Sequence, residues 1–243
     1  AAVCRESDLT LAGGVCLRPR GEKLTLPDGS GDIPLNTNLE QALEVTSPQV
    51  VVDLTNSETL MKSASLIASR GIHLVTGVSG LTELDLKTLE QTANKQGTGI
   101  IVCPNFALGA VVLQHLAKEA SRFFDYVDIV EKHHEAKIDS PSGTSLAIAK
   151  AITAKKTFQS NVSEKENLPG TRGGDYKGVT IHAVRLPGTS AHHEIVFGAP
   201  GQTLTVRHDT LSRDCYMPGV IKAVREVVNR QGLVVGLDKL LDL

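Results

Sequence analysis

A regular alternation of β-branched runs and helical segments most restricts what this chain can fold into. The run QVVVDL at residues 49–54 is nearly continuous in apolar residues, as in a strand buried on both faces of a parallel sheet. Residues 57–70 follow it, with apolar side chains such as Leu60 and Ile67 at helical spacing. Gly71 is placed to end that helix. Because parallel neighbours need a crossover connection, this order predicts a right-handed β-α-β unit.

The rest of the first half repeats this order. Strands are predicted at residues 9–15, 72–76 and 99–103, and a loop at residues 17–36. Thr37 and Glu40 have the spacing of a capping box, which predicts a helix to about residue 45. Thr82, with Asp85 three residues later, predicts another helix start. The first half is therefore predicted to be a doubly wound α/β domain with a parallel sheet.

The second half of the chain has a different pattern. Helices are predicted at residues 108–122, 144–154 and 218–231, a strand at 126–131, and a polar, Gly-rich loop at 159–178. Val112 and Leu116 are placed on one side of the first of these helices. Strands at residues 179–185, 192–197 and 202–209 have short connections, so antiparallel pairing is expected. An α+β domain with a mixed or antiparallel sheet is predicted.

Composition and charge exclude several classes of protein. Hydrophobic residues make up 41% of the chain and the formal net charge is −2, which does not fit a disordered protein. No basic stripe favours a nucleic-acid partner, and no apolar run is long enough for a membrane span. The four cysteines form no C-x-x-C pair, so neither a zinc ribbon nor a disulfide scaffold is indicated. A reducing, cytoplasmic setting fits this pattern.

The densest group of reactive side chains is EKHHEAKIDSPSGT, at residues 131–144. On an extended backbone His133 and His134 point to opposite faces, so they are not expected to chelate one metal ion together. Histidine is the natural proton donor near neutral pH, and Lys137 adds a cation close by.

An anion site is predicted at Ser142-Gly143-Thr144, where a helix start offers free backbone N–H groups and hydroxyls. A proton donor, a cation and an anion site in one segment predict a small carboxylate substrate. The alternative is a polar surface loop that ends in a capped helix.

Two turns follow predicted strands: GVSG at residues 77–80 and PNF at residues 104–106. Ligands of parallel sheets bind at the carboxyl ends of strands, so together the turns fit a nucleotide site. Either turn alone could serve backbone geometry only. His192 and His193 lie on a predicted strand without H-E-x-x-H spacing, so a metal site is not expected there. The sequence contains no G-x-G-x-x-G turn and no G-x-x-x-x-G-K-[ST] phosphate loop.

Residues 131–144 resemble the signature E-x-H-H-x-x-K-x-D-x-P-S-G-T of the 4-hydroxy-tetrahydrodipicolinate reductases, also called dihydrodipicolinate reductases. The similarity extends over essentially the whole chain, including VDLT at 52–55, IHAVRLPG at 181–188 and HHEIVFGAPGQ at 192–202. It implies that NADH or NADPH reduces a small cyclic dicarboxylate, 4-hydroxy-tetrahydrodipicolinate, to tetrahydrodipicolinate. That reaction belongs to the diaminopimelate route of lysine biosynthesis.

The resemblance also implies the fold and the domain roles. A Rossmann-like doubly wound sheet is expected in a dinucleotide-binding domain of residues 1–106 and 217–243. A substrate-binding and tetramerisation domain is expected at residues 107–216. The family's usual assembly is a homotetramer joined through the sheet of the second domain.

Residue roles follow from positions in the family signature. His133 is expected to be the acid/base group that protonates the ring, with Lys137 assisting. His134, Gly143 and Thr144 are expected to hold the substrate carboxylates. The residues expected at the nicotinamide end of the cofactor are Gly77, Val78, Ser79, Pro104, Asn105 and Phe106. No metal ion is expected.

The sequence departs from the family pattern at its start. The family opens with a strand and a G-x-x-G-x-M-G turn that binds the pyrophosphate, whereas this sequence begins within the next helix, near residues 1–6. An unpaired edge is therefore expected beside the strands at 9–15 and 50–54, together with weak dinucleotide binding. Arg18 or Arg20 could accept a 2′-phosphate, which would favour NADPH.

Two interpretations stay open. The chain is either a genuine reductase or a non-catalytic homologue that acts as an oligomeric ligand-binding scaffold. Val78 stands where the family usually has Thr, which removes one hydroxyl from the turn. The presence of His133, Lys137 and the Gly143-Thr144 pair favours the reductase.

Overall fold

The chain divides into two compact units. The computed structural model describes residues 1–18, 21–160 and 163–243. Unit 1 comprises Ala1–Phe106 with Tyr216–Asp242, and unit 2 comprises Ala107–Cys215 with Leu243. The predicted binding roles of the two domains are not decided by this division and stay predictions.

The secondary structure of the described residues is as follows. The strands are β1 (Gly14–Val15), β2 (Lys23–Thr25), β3 (Asp32–Asn36), β4 (Val50–Asp53), β5 (His73–Thr76), β6 (Gly99–Val102), β7 (Tyr126–His133), β8 (Gly174–Tyr176), β9 (Val179–Arg185), β10 (Ala191–Ala199), β11 (Gln202–Thr210) and β12 (Gly232–Val235). The helices are α1 (Leu39–Thr46), α2 (Ser57–Ser69), α3 (Glu83–Gln96), α4 (Leu108–Ala120), α5 (Gly143–Ile152) and α6 (Met217–Val227). Among the described residues, no helix combines the length and the apolar character that crossing a bilayer requires.

Unit 1 is built on a four-stranded parallel sheet with the order β12-β6-β5-β4. All four residues of β6 are buried, as expected for a parallel strand covered on both faces, and α3 and α6 pack on it. The predicted Rossmann-like parallel sheet is confirmed. Within the described residues β4 is an edge strand, as expected, and β1 lies in a different sheet.

Local capping explains where the helices of unit 1 begin. Thr82 and Asp85 form the reciprocal capping box of α3, with the Thr82 hydroxyl accepting from the Asp85 N–H and the Asp85 carboxylate accepting from the Thr82 N–H. The start predicted for α1 is one residue early. Asn38, not Thr37, is its N-cap, and the Asn38 side chain accepts from the Gln41 N–H.

Three expectations for unit 1 are wrong, and one strand was not predicted. The strand predicted at 9–15 is reduced to β1, which pairs with β3 in a small sheet of order β1-β3-β2. Strands β2 and β3 lie in the segment predicted as loop, where a turn rich in Gly and Asp joins them as an antiparallel hairpin. Strand β12 was not predicted, because Gly232 was interpreted as the C-terminal stop of the preceding helix. Its φ of 84° fits such a stop, but β12 begins at this residue. The helix expected near residues 1–6 is a single 3-10 turn, Val3–Arg5.

Unit 2 contains a five-stranded mixed sheet with the order β11-β10-β7-β9-β8. Its predicted mixed character is confirmed, because β7 pairs antiparallel with β10 and parallel with β9. The expected direct pairing of β9 with β10 is wrong, since β7 lies between them. Neighbouring strands are about 4.8 Å apart, so the segment of residues 186–190 easily crosses one strand.

The buried faces of unit 2 follow the pleat of its central strand. On β7 the side chains of Val127, Ile129, Glu131 and His133 are buried, and those between them are half-buried. On α4, Val112 and Leu116 lie on the exposed side and are 39% and 47% exposed. The buried residues of α4 are Ala110, Leu113 and Ala117.

Candidate active site

The register of the unit 2 sheet brings four polar side chains to the end of β7. Glu131 and His133 lie two residues apart on the buried face of this strand. His193 of β10 is the cross-strand partner of Glu131, and Arg185 of β9 is the cross-strand partner of His133. Residues more than fifty positions apart in the sequence therefore meet around one histidine.

Glu131 is fully buried and accepts hydrogen bonds at both carboxylate oxygens. Arg185 Nη2 donates to Oε1 at 2.8 Å, and the Ser142 N–H and the Ser145 hydroxyl donate to Oε2 at 2.9 and 2.6 Å. Burial alone would raise the pKa of Glu131. The hydrogen bonds from Ser142, Ser145 and Arg185 outweigh burial and lower this pKa to about 2. A buried carboxylate is therefore ionised throughout the physiological range.

His133 is 7% exposed and lies beside that carboxylate. Its Nδ1 is 3.9 Å from Glu131 Oε1, and among the described residues this nitrogen has no hydrogen-bond partner. Burial lowers the pKa of His133; Glu131 opposes this shift, while Lys137 and Arg185 add to it. The imidazole is therefore held in its neutral form at a lower pH than an exposed histidine would be.

His193 completes the buried group. Its ring lies edge-on to that of His133, with the centroids 5.3 Å apart, and its Nε2 is 3.2 Å from the Ser142 hydroxyl. Burial and the neighbouring His133 lower the pKa of His193 to about 4. His193 was expected to be only a strand residue, and the cross-strand register is what brings it to His133.

The loop after β7 carries the other predicted substrate groups. His134 is exposed whereas His133 is buried, so the expected opposite orientation of the two side chains is confirmed. Lys137 Nζ is 2.6 Å from Asp139 Oδ1, which pairs its charge within the loop. Arg185 Nη2 also donates to the Asp139 carbonyl at 2.8 Å, so one guanidinium links this loop to Glu131.

Helix α5 begins at the end of the same loop. Ser142 is its N-cap, and the Ser142 hydroxyl accepts from the Ser145 N–H. In the part of the chain that the structure describes, the N–H groups of Gly143 and Thr144 donate to no protein acceptor. A Cβ built on Gly143 would meet no atom within 4 Å outside its chain neighbours and its own helix backbone, so the space beside this residue is open. Free donors, open space and a helix N-terminus are the features that an anion site requires.

A metal ion is not favoured at the buried group, although atoms of Glu131, His133 and His193 lie within 4.8 Å of one another. Both oxygens of Glu131 already accept hydrogen bonds, one of them from a guanidinium. A cation there would also be repelled by the guanidinium of Arg185, whose Nη2 lies 2.8 Å from Oε1.

The predicted cofactor residues of unit 1 follow β5 and β6. Gly77 begins the first turn, and a Cβ there would be 2.9 Å from Leu54 Cδ2 and 3.1 Å from Phe106 Cε2. Val78 is buried in the core and its N–H donates to the Thr76 hydroxyl at 3.1 Å, so only its carbonyl group is left for a ligand, while Ser79 is exposed.

Pro104, exposed, and Asn105, half-buried, follow β6, and the next residue, Phe106, is buried. A turn that allows close approach, at the carboxyl ends of parallel strands, fits a nicotinamide cofactor. Arg18 is exposed, and Arg20 lies outside the described residues.

Comparison with known families decides where this chain belongs. Residues 2–106 match the family profile "Dihydrodipicolinate reductase, N-terminus", and residues 109–241 match "Dihydrodipicolinate reductase, C-terminus". The chain belongs to the dihydrodipicolinate reductase family. The resemblance read from the sequence is therefore confirmed, and the chain is a member of a family of oxidoreductases.

Relatives of the family resemble the chain over nearly its whole length. A 4-hydroxy-tetrahydrodipicolinate reductase of Dehalococcoides mccartyi is 46% identical, covering 99% of this chain and 92% of that protein. One from Syntrophomonas wolfei is 39% identical, with the same coverage of each chain. The solved dipicolinate-bound dihydrodipicolinate reductase of Paenisporosarcina sp. TG-14 is 34% identical with a TM-score of 0.86, covering 98% of this chain and 92% of that one.

More distant solved structures share the fold alone. An amine dehydrogenase of Mycobacterium smegmatis is 14% identical with a TM-score of 0.61, covering 95% of this chain and 88% of that one. The N-terminal profile of the reductase family and the reductase relatives indicate a nicotinamide cofactor, to which these distant structures add only the fold.

Three contributors to the candidate site were not found from the sequence of this family member. They are Ser145, Arg185 and His193. Ser145 follows from helical geometry, because a side chain three residues after an N-cap faces it again. Arg185 and His193 required the strand register, which has no local sequence signal.

Proposed function

We propose that this chain reduces 4-hydroxy-tetrahydrodipicolinate to tetrahydrodipicolinate in the diaminopimelate route to lysine, using a nicotinamide cofactor. The observation that carries the proposal is the group in unit 2: an open helix N-terminus, a loop with a lysine, and a buried histidine. These are the groups that a small dianionic substrate with a protonatable ring requires. The names of the similar reductases, one of them solved with dipicolinate, support the same substrate class.

The substrate carboxylates bind at the start of α5. The N–H groups of Gly143 and Thr144 donate to one carboxylate, and the open space at Gly143 leaves room for it. His134 and Lys137 supply further donors from the loop. Because Lys137 is already paired with Asp139, substrate must compete with that carboxylate for the ammonium group.

His133 is the acid/base residue, and substrate binding prepares it. In the free protein, burial favours the neutral imidazole. The neutral ring has a single N–H proton and lacks the second proton that the imidazolium would transfer. A bound dicarboxylate brings negative charge, which favours the imidazolium form. Charge balance therefore couples arrival of the substrate to loading of the proton, and Lys137 keeps the substrate oriented.

The cofactor supplies a hydride when bound, and we assign it to the strand-end turns of unit 1. The backbone of Gly77, Val78 and Ser79 and the segment Pro104, Asn105 and Phe106 form the surface for the nicotinamide end. Either NADH or NADPH fits this chemistry. Arg18 is the candidate for a 2′-phosphate. Titration of R18A and of the unchanged protein with NADH and NADPH tests that role. If both proteins bind both cofactors equally well, Arg18 does not bind the 2′-phosphate.

We also propose that the protein is a cytoplasmic homotetramer assembled through the unit 2 sheet. The face of β7 opposite Glu131 carries half-buried side chains such as Tyr126, Asp128 and Val130, and a partner sheet would cover them. The four cysteines are free thiols, which suits a reducing compartment. Native mass spectrometry tests the assembly, and a monomer at micromolar concentration would contradict it.

A steady-state assay tests the proposed activity. NADPH and NADH oxidation is followed with substrate generated in place by the preceding synthase reaction. We expect turnover, and a loss of roughly 10²- to 10⁴-fold in kcat for H133A, because general acid catalysis is removed. K137A should raise KM, whereas K150A, which removes an exposed lysine from α5, should change neither constant. Substrate binding without turnover would instead support the ligand-binding scaffold.

A further inference from the structure

The end of β7 holds a carboxylate and an imidazole that face each other without yet bonding. Glu131 Oε1 and His133 Nδ1 are 3.9 Å apart, too far for a hydrogen bond but within the range of strong electrostatic attraction. His133 Nδ1 is buried and is without a partner among the described residues. A buried nitrogen that lacks a partner costs free energy, so its retention here needs a reason.

We propose that Glu131 is the positioning residue of His133, receiving the Nδ1–H of the protonated ring, and that Arg185 limits how strongly it does so. The proposal rests on the proposed role of His133 as the acid. The imidazolium carries a proton on each nitrogen. Glu131 holds the one on Nδ1, so the proton on Nε2 is the one that leaves, and the ring keeps one orientation before and after the transfer.

The surroundings of Glu131 suit this function. Its donors, from Ser142, Ser145 and Arg185, keep it ionised, so a negative charge is always present when His133 gains its proton. The same donors fix the carboxylate rigidly on β7 and α5, which leaves movement to the imidazole. A shift of the ring by about 1 Å would bring the two atoms to the usual hydrogen-bond distance.

Arg185 moderates the pair because it shares Oε1, the same oxygen that faces His133. Without the guanidinium, the carboxylate would attract the proton of His133 more strongly and make it a weaker acid. The charged and titratable groups around His133 are Glu131 on β7, His193 on β10, Arg185 on β9, and Lys137 and Asp139 on the loop. Of these groups, Glu131 lies 3.9 Å from the unpartnered Nδ1, and Arg185 bonds the same carboxylate oxygen.

Two substitutions should move the titration of His133 in opposite directions. In E131Q the pKa of His133 should fall below its value in the unchanged protein, because the charge that favours the imidazolium is gone. In R185Q the pKa should rise, because the carboxylate is no longer neutralised. Burial lowers the pKa of His133, so a general loosening of the site would raise this pKa in both variants. A fall in E131Q therefore cannot result from loosening and reports the lost charge of Glu131.

The measurement is an NMR titration of the histidine rings in the full chain without substrate, with the His133 signal assigned through H133Q. R185K keeps the charge and should leave the titration close to that of the unchanged protein. D128N is the matched control: Asp128 also lies on β7, 2.9 Å from His182 Nε2, but on the opposite face. It should leave the titration of His133 unchanged.

Kinetics give the second reading. E131Q should lower kcat by roughly 10- to 100-fold with little change in KM, a part of what the acid itself contributes. The proposal is overturned if the pKa of His133 in E131Q is unchanged or raised, or if R185Q and R185K behave alike. The titration needs no turnover, so it tests the pair independently of the proposed function. If the chain is inactive but the pKa of His133 still changes in E131Q, the proposed function is wrong and the interaction between Glu131 and His133 stands.

Discussion

Unit 1 and unit 2 present their candidate ligand groups in different chemical forms. The turns after β5 and β6 in unit 1 offer mostly backbone, with Val78 and Phe106 buried beneath it. In unit 2 the groups are charged or titratable side chains, and Glu131 and His133 are buried within a set of hydrogen bonds. We therefore expect ligand binding to depend mainly on shape in unit 1 and mainly on charge in unit 2. Glycine substitutions should weaken binding most in unit 1, and a change of pH should alter binding most in unit 2.

The largest expected effect is a loss of unit 2 stability in acid. The pKa values of about 4 for His193 and about 2 for Glu131 lie below the ordinary 6.5 and 4.5 of the unfolded groups. The unfolded chain therefore binds protons first, so stability is present above these ordinary values and is lost as pH falls, by about 3 kcal/mol for each group. Hydrogen exchange of each unit between pH 7 and 3 measures this loss.

Unit 1 is the internal control for the acid effect. Its carboxylates with lowered pKa values, such as Asp8 and Asp85, are hydrogen-bonded on the surface, where solvent screens them. H193Q should reduce the loss between pH 6.5 and 4 in unit 2, where the lowered pKa values of His133 and His208 also contribute. Equal acid sensitivity of the two units would break the contrast drawn between them.

Gly77→Ala should destabilise unit 1 by about 1–2 kcal/mol and weaken cofactor binding. The added Cβ would press on Leu54 Cδ2 at 2.9 Å and on the buried ring of Phe106 at 3.1 Å, and overpacking a core costs about this much. Urea unfolding followed by NMR signals of unit 1 measures the cost, and fluorescence titration with NADH and NADPH measures binding. Wild-type stability and affinity together would show that the turn tolerates volume.

Ser142→Ala should destabilise unit 2 by about 1 kcal/mol, because α5 loses its N-cap. The same change should alter the titration of His193, since the hydroxyl lies 3.2 Å from its Nε2. Thr82→Ala removes the N-cap of α3 in unit 1 and should lower the free energy of unfolding of that unit by a similar amount. It should not change the titration of His193 in unit 2. If both caps cost the same and neither changes the titration of His193, Ser142 is a cap and nothing more.

The smallest expected effect is a gain. Gly143→Ala should stabilise unit 2 by roughly 0.5–1 kcal/mol, because alanine is the better helix former and the space at this position is empty. The methyl group should nevertheless raise KM for the dicarboxylate, since it would occupy the proposed carboxylate site. Thermal unfolding and steady-state kinetics of the same preparation separate the two effects. A stabilised variant with unchanged KM would remove Gly143 from the substrate site.

The elements that were predicted well are those with their own local pattern. Strands β4 to β6 and helices α2 and α3 have continuous apolar runs or helical periodicity and clear caps. Strands β2, β3 and β12 were missed because the glycines and prolines in and around them suggest turns until a neighbouring strand pairs with them.

The sequence alone determined the α/β alternation around β4 to β6, the family, and the segment at residues 131–144 in which the reactive side chains occur, because these depend on residues close together in the chain. The tertiary structure decided which distant residues join that segment, since strand register alone pairs Arg185 with His133 and His193 with Glu131. It also decided their charge states. Burial and hydrogen bonding set those pKa values, and both are properties of the packed sheet and helix rather than of any stretch of sequence.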